Sequence, residues 1–375
     1  ITEKWFETDL PESVELPGSM VENGKGFDIS LETEWTGGIK NKDWYQDPNY
    51  TPFHDPDNIR FPYWLQPEKK YTGAAWYRKN VTIPENWVDK TIWLYLERPH
   101  WESTIWVNNK KAGSQNSLAT PHQYNLTSLL KAGENAITIR IDNRTKDVDV
   151  GHNSHSITDH TQTNWNGITG KIRLQSRSRI YISNAKIFPK IKNKQATINM
   201  MVTNSTNQEK PVKAEIKAKL KGSDNEIPLK TTQVKVKPGK NNINITYPLG
   251  EDALLWDEFN PNLYELTLRL IHDDCEELKK MDVGLREFKV DGSRFSVNGR
   301  PVFLRGTLEC AIFPKTGYPP TKKEEWRKIY KTIKSYGLNH MRFHSWCPPE
   351  AAFAAADEEG IYLQVECSSW ANQST

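Results

Sequence analysis

Short runs between residues 75 and 272 carry the alternation of apolar and polar positions expected of strands, and the period changes after Gly284. Ala75–Ile83, Thr91–Glu97, Ser103–Val107 and Ala136–Ile141 are runs of β-branched and aromatic residues, set off by Gly, Asn and Pro. Runs of that kind, spaced by about ten residues, predict the strands of an antiparallel β-sandwich. Asn108-Asn109-Lys110-Lys111 marks a tight turn inside it. The first 70 residues are irregular and rich in Pro, Asp and Asn, so they are expected to wrap the sandwich surface.

Between Ile180 and Val283 the alternation continues in Ala196–Val202, Val212–Leu220, Gln233–Val236, Asn242–Tyr247 and Tyr264–His272. Tryptophan nearly vanishes there and lysine becomes dense. A stretch of about 100 residues with this many short strands suits a small immunoglobulin-like sandwich. Its lysines interleave with apolar residues, which predicts a solvated outer face rather than a polyanion site.

After Gly284 the pattern is strand, helix, strand, helix, strand. Val302–Arg305, Asn339–His344 and Ile361–Cys367 read as short apolar strands. Thr321-Lys-Lys-Glu324 has the form of a capping box that opens a helix, with Trp326, Ile329 and Ile333 on one face and Gly337 as its stop. Pro348–Glu359 is a second helix, closed by Gly360. Short connections between such elements mean parallel βαβ units. Three strands do not close an eight-stranded barrel, so the inward side of Phe303, Met341 and Leu363 is expected to face water. The expected domains are 1–180, 181–283 and 284–375.

Composition narrows the chemistry. Lys+Arg number 50 against 47 Asp+Glu, a net charge of +3 that gives no pull toward nucleic acid or an anionic membrane. No apolar run approaches the ~20 residues needed to cross a bilayer. Four cysteines, Cys275, Cys310, Cys347 and Cys367, match no disulfide framework and no Cys-x-x-Cys metal spacing, so buried structural thiols are expected. No cofactor or metal is expected. Ten of the fourteen tryptophans precede residue 170. Flat indoles cover the C–H faces of sugars, but they also fill sandwich cores, and composition alone does not separate the two.

The ordered local sequences go further. Gly73-Ala-Ala-Trp-Tyr-Arg78, Ser103-Thr-Ile-Trp-Val-Asn-Asn-Lys110, Pro121-His122, Leu126-Thr127 and Gly133-Glu-Asn-Ala-Ile-Thr-Ile139 resemble the sugar-binding jelly roll of family 2 glycoside hydrolases. Asn260-Pro-Asn-Leu-Tyr-Glu-Leu266 resembles the end of that family's middle sandwich. Gly284-Leu-Arg-Glu-Phe288, Val297-Asn-Gly-Arg-Pro301 and Leu304-Arg-Gly306 resemble its junction into a catalytic barrel. The resemblance implies a jelly-roll β-sandwich, an immunoglobulin-like sandwich, and the first three βα units of a (β/α)8 TIM barrel.

It also implies retaining hydrolysis of a terminal β-linked sugar, of the β-galactosidase, β-glucuronidase or β-mannosidase kind with the first favoured, by two carboxylates about 5–5.5 Å apart. In the family these come from the fourth and seventh barrel strands. Both are expected beyond Thr375, leaving these residues without catalysis of their own. The start at Ile1 is explained by a processed end or by an engineered one; a signal peptide removed in processing would give a secreted or periplasmic location, which is the expectation.

Barrel sites form at the carboxyl ends of the strands. That rule selects Arg305 and Glu309, then Arg342, His344 and Trp346, then Glu366 and Trp370. The family resemblance implies an Arg followed closely by a His where Arg342 and His344 stand, and Glu366 is read as a pocket residue rather than a catalytic one. Arg342 has an equal claim to a structural ion pair. The loop Gly151–Gly170 holds His152, His155, His160, Asp159 and several amides, groups suited to sugar hydroxyls. There the resemblance points to Asn164 and Trp165, with Thr163 and Asn164 where family members often carry an acid. The three histidines of that loop fit no usual metal-ligand spacing. The rival function is a non-catalytic carbohydrate-binding or adhesion protein, which would have no use for the parallel strand–helix segment.

Overall fold

The computed structural model describes residues 4–37, 43–62, 64–146, 150–161, 164–273 and 275–370. The first unit is a two-sheet antiparallel sandwich. One sheet orders Ala74–Ile83, Gly133–Asp142, Glu102–Val107 and Lys110–Asn116; the other orders Ile172–Arg177, Thr91–Leu96 and His122–Asn125. Leu94, Leu96, Ile105, Val107, Tyr124, Leu126, Ile139 and Ile141 fill the space between them. Asn108 and Asn109 both take positive φ (47° and 68°) and make the hairpin between Glu102–Val107 and Lys110–Asn116. A two-residue turn needs that geometry to follow the strand twist, and Asn tolerates it.

The second unit is a seven-stranded sandwich of the immunoglobulin-like kind. Ile180–Lys190, Gln195–Asn204 and Gly239–Pro248 face Glu226–Val236, Lys210–Leu220, Tyr264–His272 and Cys275–Val283. Alternation is strict in Gln195–Asn204, where Ala196, Ile198, Met200 and Val202 are fully buried and the residues between them are not. Burial of one face is what holds the register, since a one-residue slip would expose all four.

The third unit begins with an antiparallel meander, Phe288–Asp291, Arg294–Val297 and Arg300–Val302. A parallel sheet follows, in the order Gly306–Glu309, His340–Phe343, Tyr362–Val365, with helices Lys323–Ser335 and Glu350–Glu359. Trp326 and Tyr330 are fully buried against Phe343, Trp346 and the alanines of the second helix. Gly337 (φ 76°) closes the first helix: its amide donates to Lys334 O and the Leu338 amide to Ile333 O.

Four expectations need correction. The thiols are not buried: Cys275 and Cys367 are exposed, and Cys310 and Cys347 are half-buried. The first parallel strand is Gly306–Glu309, not 302–305; Val302 belongs to the meander. An apolar run marks a strand but not its partner. Arg305 therefore precedes that strand, bonding Gly337 O and Glu258, far from the carboxyl ends. Thr321 does not cap the helix; its hydroxyl donates to Thr169 O in the first sandwich, and Lys322 is the N-cap residue, with no side-chain bond. Met341 is 2% exposed, facing the helices, whereas Leu308, on the opposite face, is 51% exposed.

Candidate functional site

The first sandwich and the parallel sheet meet through Ser345, whose φ of 54° is unusual for a non-glycine residue. Ser154 and Ser156 hydroxyls donate to Ser345 O at 3.1 and 2.8 Å, and the His155 amide donates to Ser345 Oγ at 2.9 Å. Arg98, buried, donates to Cys347 O at 2.7 Å. The Trp370 amide reaches Val150 O at 2.8 Å. These bonds hold the loop 150–161 over the carboxyl ends of the strands.

Four of the expected site residues gather there. Arg342 and Glu366 form an ion pair through two guanidinium nitrogens and Glu366 Oε1, while Glu366 Oε2 accepts from the Ser345 amide at 2.7 Å. Desolvation raises the Glu366 pKa, but the Ser345 amide and Arg342 outweigh it and hold the carboxyl below its ordinary range. His344 and Trp370 stand edge to face with centroids 5.0 Å apart. His155 lies 4.9 Å from the His344 ring and 5.9 Å from His160. Burial, with His344 and His160 beside it, lowers the His155 pKa to about 4, so its imidazole is neutral at pH 7.

The other three expected residues are placed differently. Trp165 lies against His100, with ring centroids 4.0 Å apart and planes tilted by 38°, and faces Tyr318 at 6.1 Å, and its indole N–H has no partner. It lines a narrow cleft with His100, His155, Ser156 and Trp346. Gly167, two residues on, has no room for a side chain: a Cβ would lie 2.3 Å from Gly18 O. That close backbone approach anchors the loop end that presents Trp165. Asn164 is buried and gives its amide to Thr36 Oγ1 at 2.9 Å, so it braces the loop. Trp346 is 2% exposed, packs against Trp326 and Phe343, and donates to Glu309 O at 3.2 Å; only an edge reaches the cleft. Thr163 lies outside the described residues.

Glu309, at the end of the first parallel strand, accepts from the amides of Ala311 (2.9 Å) and Ile312 (3.2 Å). Burial pushes its pKa up to about 7. It fixes the turn that carries Cys310. Sequence spacing did not anticipate what this turn does: one ligand atom each of His155, Cys310 and His344 lie within 4.8 Å of one another. These residues come from three segments up to 189 positions apart (344 − 155), so no local spacing reports them. His100 and Tyr318 were also missed.

A planar guanidinium, a carboxylate and imidazoles beside Trp370 and Trp165 supply the donors, acceptors and flat apolar faces that a sugar requires.

Comparison with known proteins agrees with this architecture. The sequence model for "Glycosyl hydrolases family 2, sugar binding domain" matches residues 1–177, and that for "Glycosyl hydrolases family 2" matches 180–286. A putative beta-glucuronidase of Formosa agariphila is 28% identical over 306 residues, 80% of this chain and 36% of its own length. A beta-galactosidase of Thermoanaerobacter pseudethanolicus is 24% identical over 333 residues, 84% of this chain and 42% of its own. Among solved structures, Bacteroides uniformis beta-glucuronidase superimposes with a TM-score of 0.67 at 20% identity, over 91% of this chain and 42% of that one. A putative beta-galactosidase from Bacteroides fragilis gives 0.70 at 18%, over 92% and 53%. The chain thus spans about two fifths of the length of the relatives it matches (36% and 42%).

Proposed function

The chain belongs to glycosyl hydrolase family 2, and from that premise we propose that it is the front part of a retaining, exo-acting glycosidase. Its substrate would be a terminal β-linked sugar, β-galactoside-like in the simplest case. The parallel strand–helix unit is read as the first three βα units of a TIM barrel and the first sandwich as its sugar-binding jelly roll, with boundaries near 180 and 283. The observation that carries the proposal is the cluster of Arg342, His344, Glu366 and Trp370 at one end of the parallel sheet, roofed by the loop 150–161.

Within this reading those four residues and Trp165 contact the sugar, and Asn164 and Trp346 support them. The two reacting carboxylates belong to barrel strands beyond these three. Glu309 and Glu366 are poor substitutes: one closes a turn through two backbone amides, the other is held by Arg342 and Ser345. Relatives that bear the names beta-galactosidase and putative beta-glucuronidase support the reading. A secreted or periplasmic location is part of the same proposal, checked by fractionating producing cells.

The test compares residues 1–375 with a protein that continues the reading frame, on nitrophenyl β-galactoside and β-glucuronide. The longer protein is expected to turn one of them over with retained anomeric configuration, read by NMR, and the 375 residues to turn over neither. Inverted product, or turnover by the 375 residues that Glu366→Gln abolishes, refutes the assignment.

A further inference from the structure

We propose that His155, Cys310 and His344 form a binding site for a transition-metal ion of the zinc class, with three protein ligands and a fourth position open to water. One ring nitrogen from each imidazole and Cys310 Sγ lie within 4.8 Å of one another. Zinc takes nitrogen at about 2.0–2.1 Å and sulfur at about 2.3 Å, which sets tetrahedral ligands about 3.3–3.6 Å apart. Closing from the observed spacing needs about 1 Å of side-chain movement.

Two further observations point to a ligand. His155 is 8% exposed, yet its Nδ1 has no hydrogen-bond partner; His344 Nδ1 is likewise buried and unpartnered. Buried polar atoms are normally satisfied, and two unpartnered ring nitrogens on the two histidines of one cluster call for an occupant. The backbone around the cluster is also held. The His344 amide donates to Glu309 O at 2.9 Å, the His155 amide to Ser345 Oγ at 2.9 Å, and Glu309 ties the turn after Cys310. Ligands are thus delivered from three segments that are locked to one another.

The donor set decides the class of ion. Two imidazoles and a thiol select zinc, cobalt, nickel or copper over magnesium and calcium, which prefer oxygen. Binding releases the Cys310 proton to solvent as the metal–thiolate bond forms. An ion here takes His344 away from the sugar contact assigned above. That consequence rests on the glycosidase reading; ion binding itself does not.

Titrating Co²⁺ into the reduced 375-residue chain tests the site. The expected result is one equivalent bound, with the visible bands of tetrahedral cobalt and a thiolate-to-cobalt charge-transfer band. Zn²⁺ should displace it, and Mg²⁺ and Ca²⁺ should not. Cys310→Ser should remove the charge-transfer band and weaken binding by at least about 100-fold, beyond the 10–100-fold typical of losing a mere supporting group. Cys310→His should retain binding without the sulfur band, which separates ligand loss from misfolding. Cys275→Ser, at an exposed thiol on the second sandwich, should change nothing. Absence of cobalt bands, or a sulfur band that survives Cys310→Ser, overturns the proposal.

Discussion

His122 gives the first sandwich a measurable sensitivity to acid. The ring is fully buried, with Nδ1 accepting from Ser103 Oγ at 2.6 Å and Nε2 facing Ser117 O at 3.3 Å. Burial lowers its pKa to about 4, partly countered by the Ser117 carbonyl, against about 6.5 in an unfolded chain. Between those values the unfolded state holds more protons than the folded one, so stability rises with pH in that window. The stability is complete above about pH 6.5 and is lost as pH falls toward 4. For a shift of about 2.5 units the full loss is about 3 kcal/mol, and about 2 kcal/mol is already gone at pH 5. His155, also near 4, and His100, which burial and then the Arg98 charge hold well below the usual imidazole range, add to the same slope. His122→Gln isolates one contribution: it keeps a donor for Ser117 but cannot take the proton. Urea unfolding at pH 8 and pH 5, followed by tryptophan fluorescence, should show the variant losing about 2 kcal/mol less than the parent between the two pH values. An unchanged difference would refute the assignment of that slope to His122.

Gly360 (φ 72°) sits where a Cβ would lie 2.6 Å from Glu258 O, so Gly360→Ala should cost about 1–3 kcal/mol and exceed Gly24→Ala, whose φ of 69° opens into free space; denaturant midpoints compare them. Arg342→Ala should change stability by less than about 1 kcal/mol, since the guanidinium is 43% exposed, while kcat/KM of the complete enzyme falls by a larger amount; the reverse pattern makes the pair structural. Trp165→Ala should lower kcat/KM by about 1–3 kcal/mol with little change in melting temperature, and a collapse in stability would mark the indole as packing against His100.

The sandwiches were legible because burial on one face writes a period of two into the chain. Tyr264–His272 alternates buried and half-buried residues throughout, and its limits match those read from sequence. Two of the strands missed lack that signature. Lys110–Asn116 has no buried residue; it is an edge strand held by ladder bonds to Glu102–Val107 and by its Asn-Asn turn. Cys275–Val283 is likewise an edge strand, with one residue buried. Helix ends were easier, because Gly337 and Gly360 satisfy a local rule about positive φ that needs no tertiary partner. Thr321 shows the opposite case. Its hydroxyl could serve the helix amides or a carbonyl across an interface, and the nearby Thr169 O takes it.

The site was half legible for the same reason. Position relative to a strand end is local, so Arg342, His344 and Glu366 could be named from the βα pattern. Which way an indole points is not local. Trp346 follows Phe343 and His344 at a strand end, yet Ser345 turns the chain through positive φ and sends the indole into the helix layer beside Trp326. Asn164 was read as facing the mouth, but Thr36, 128 residues earlier, holds its amide. The His155–Cys310–His344 cluster is the strongest instance. Each member is unremarkable in its own segment: one histidine among three, one thiol after a strand, one histidine before a turn. Their proximity depends on Ser345 binding the loop 154–156 and on Glu309 closing the turn at 310–312. If those two anchors create the site, then Ser345→Gly, which keeps the positive φ and removes only the hydroxyl that receives the His155 amide, should weaken Co²⁺ binding while leaving the parallel sheet folded. The expected loss is within the 10–100-fold range of an outer-shell contact, read from the cobalt spectrum. An unchanged affinity would mean that His155 is held by its own burial and not by Ser345.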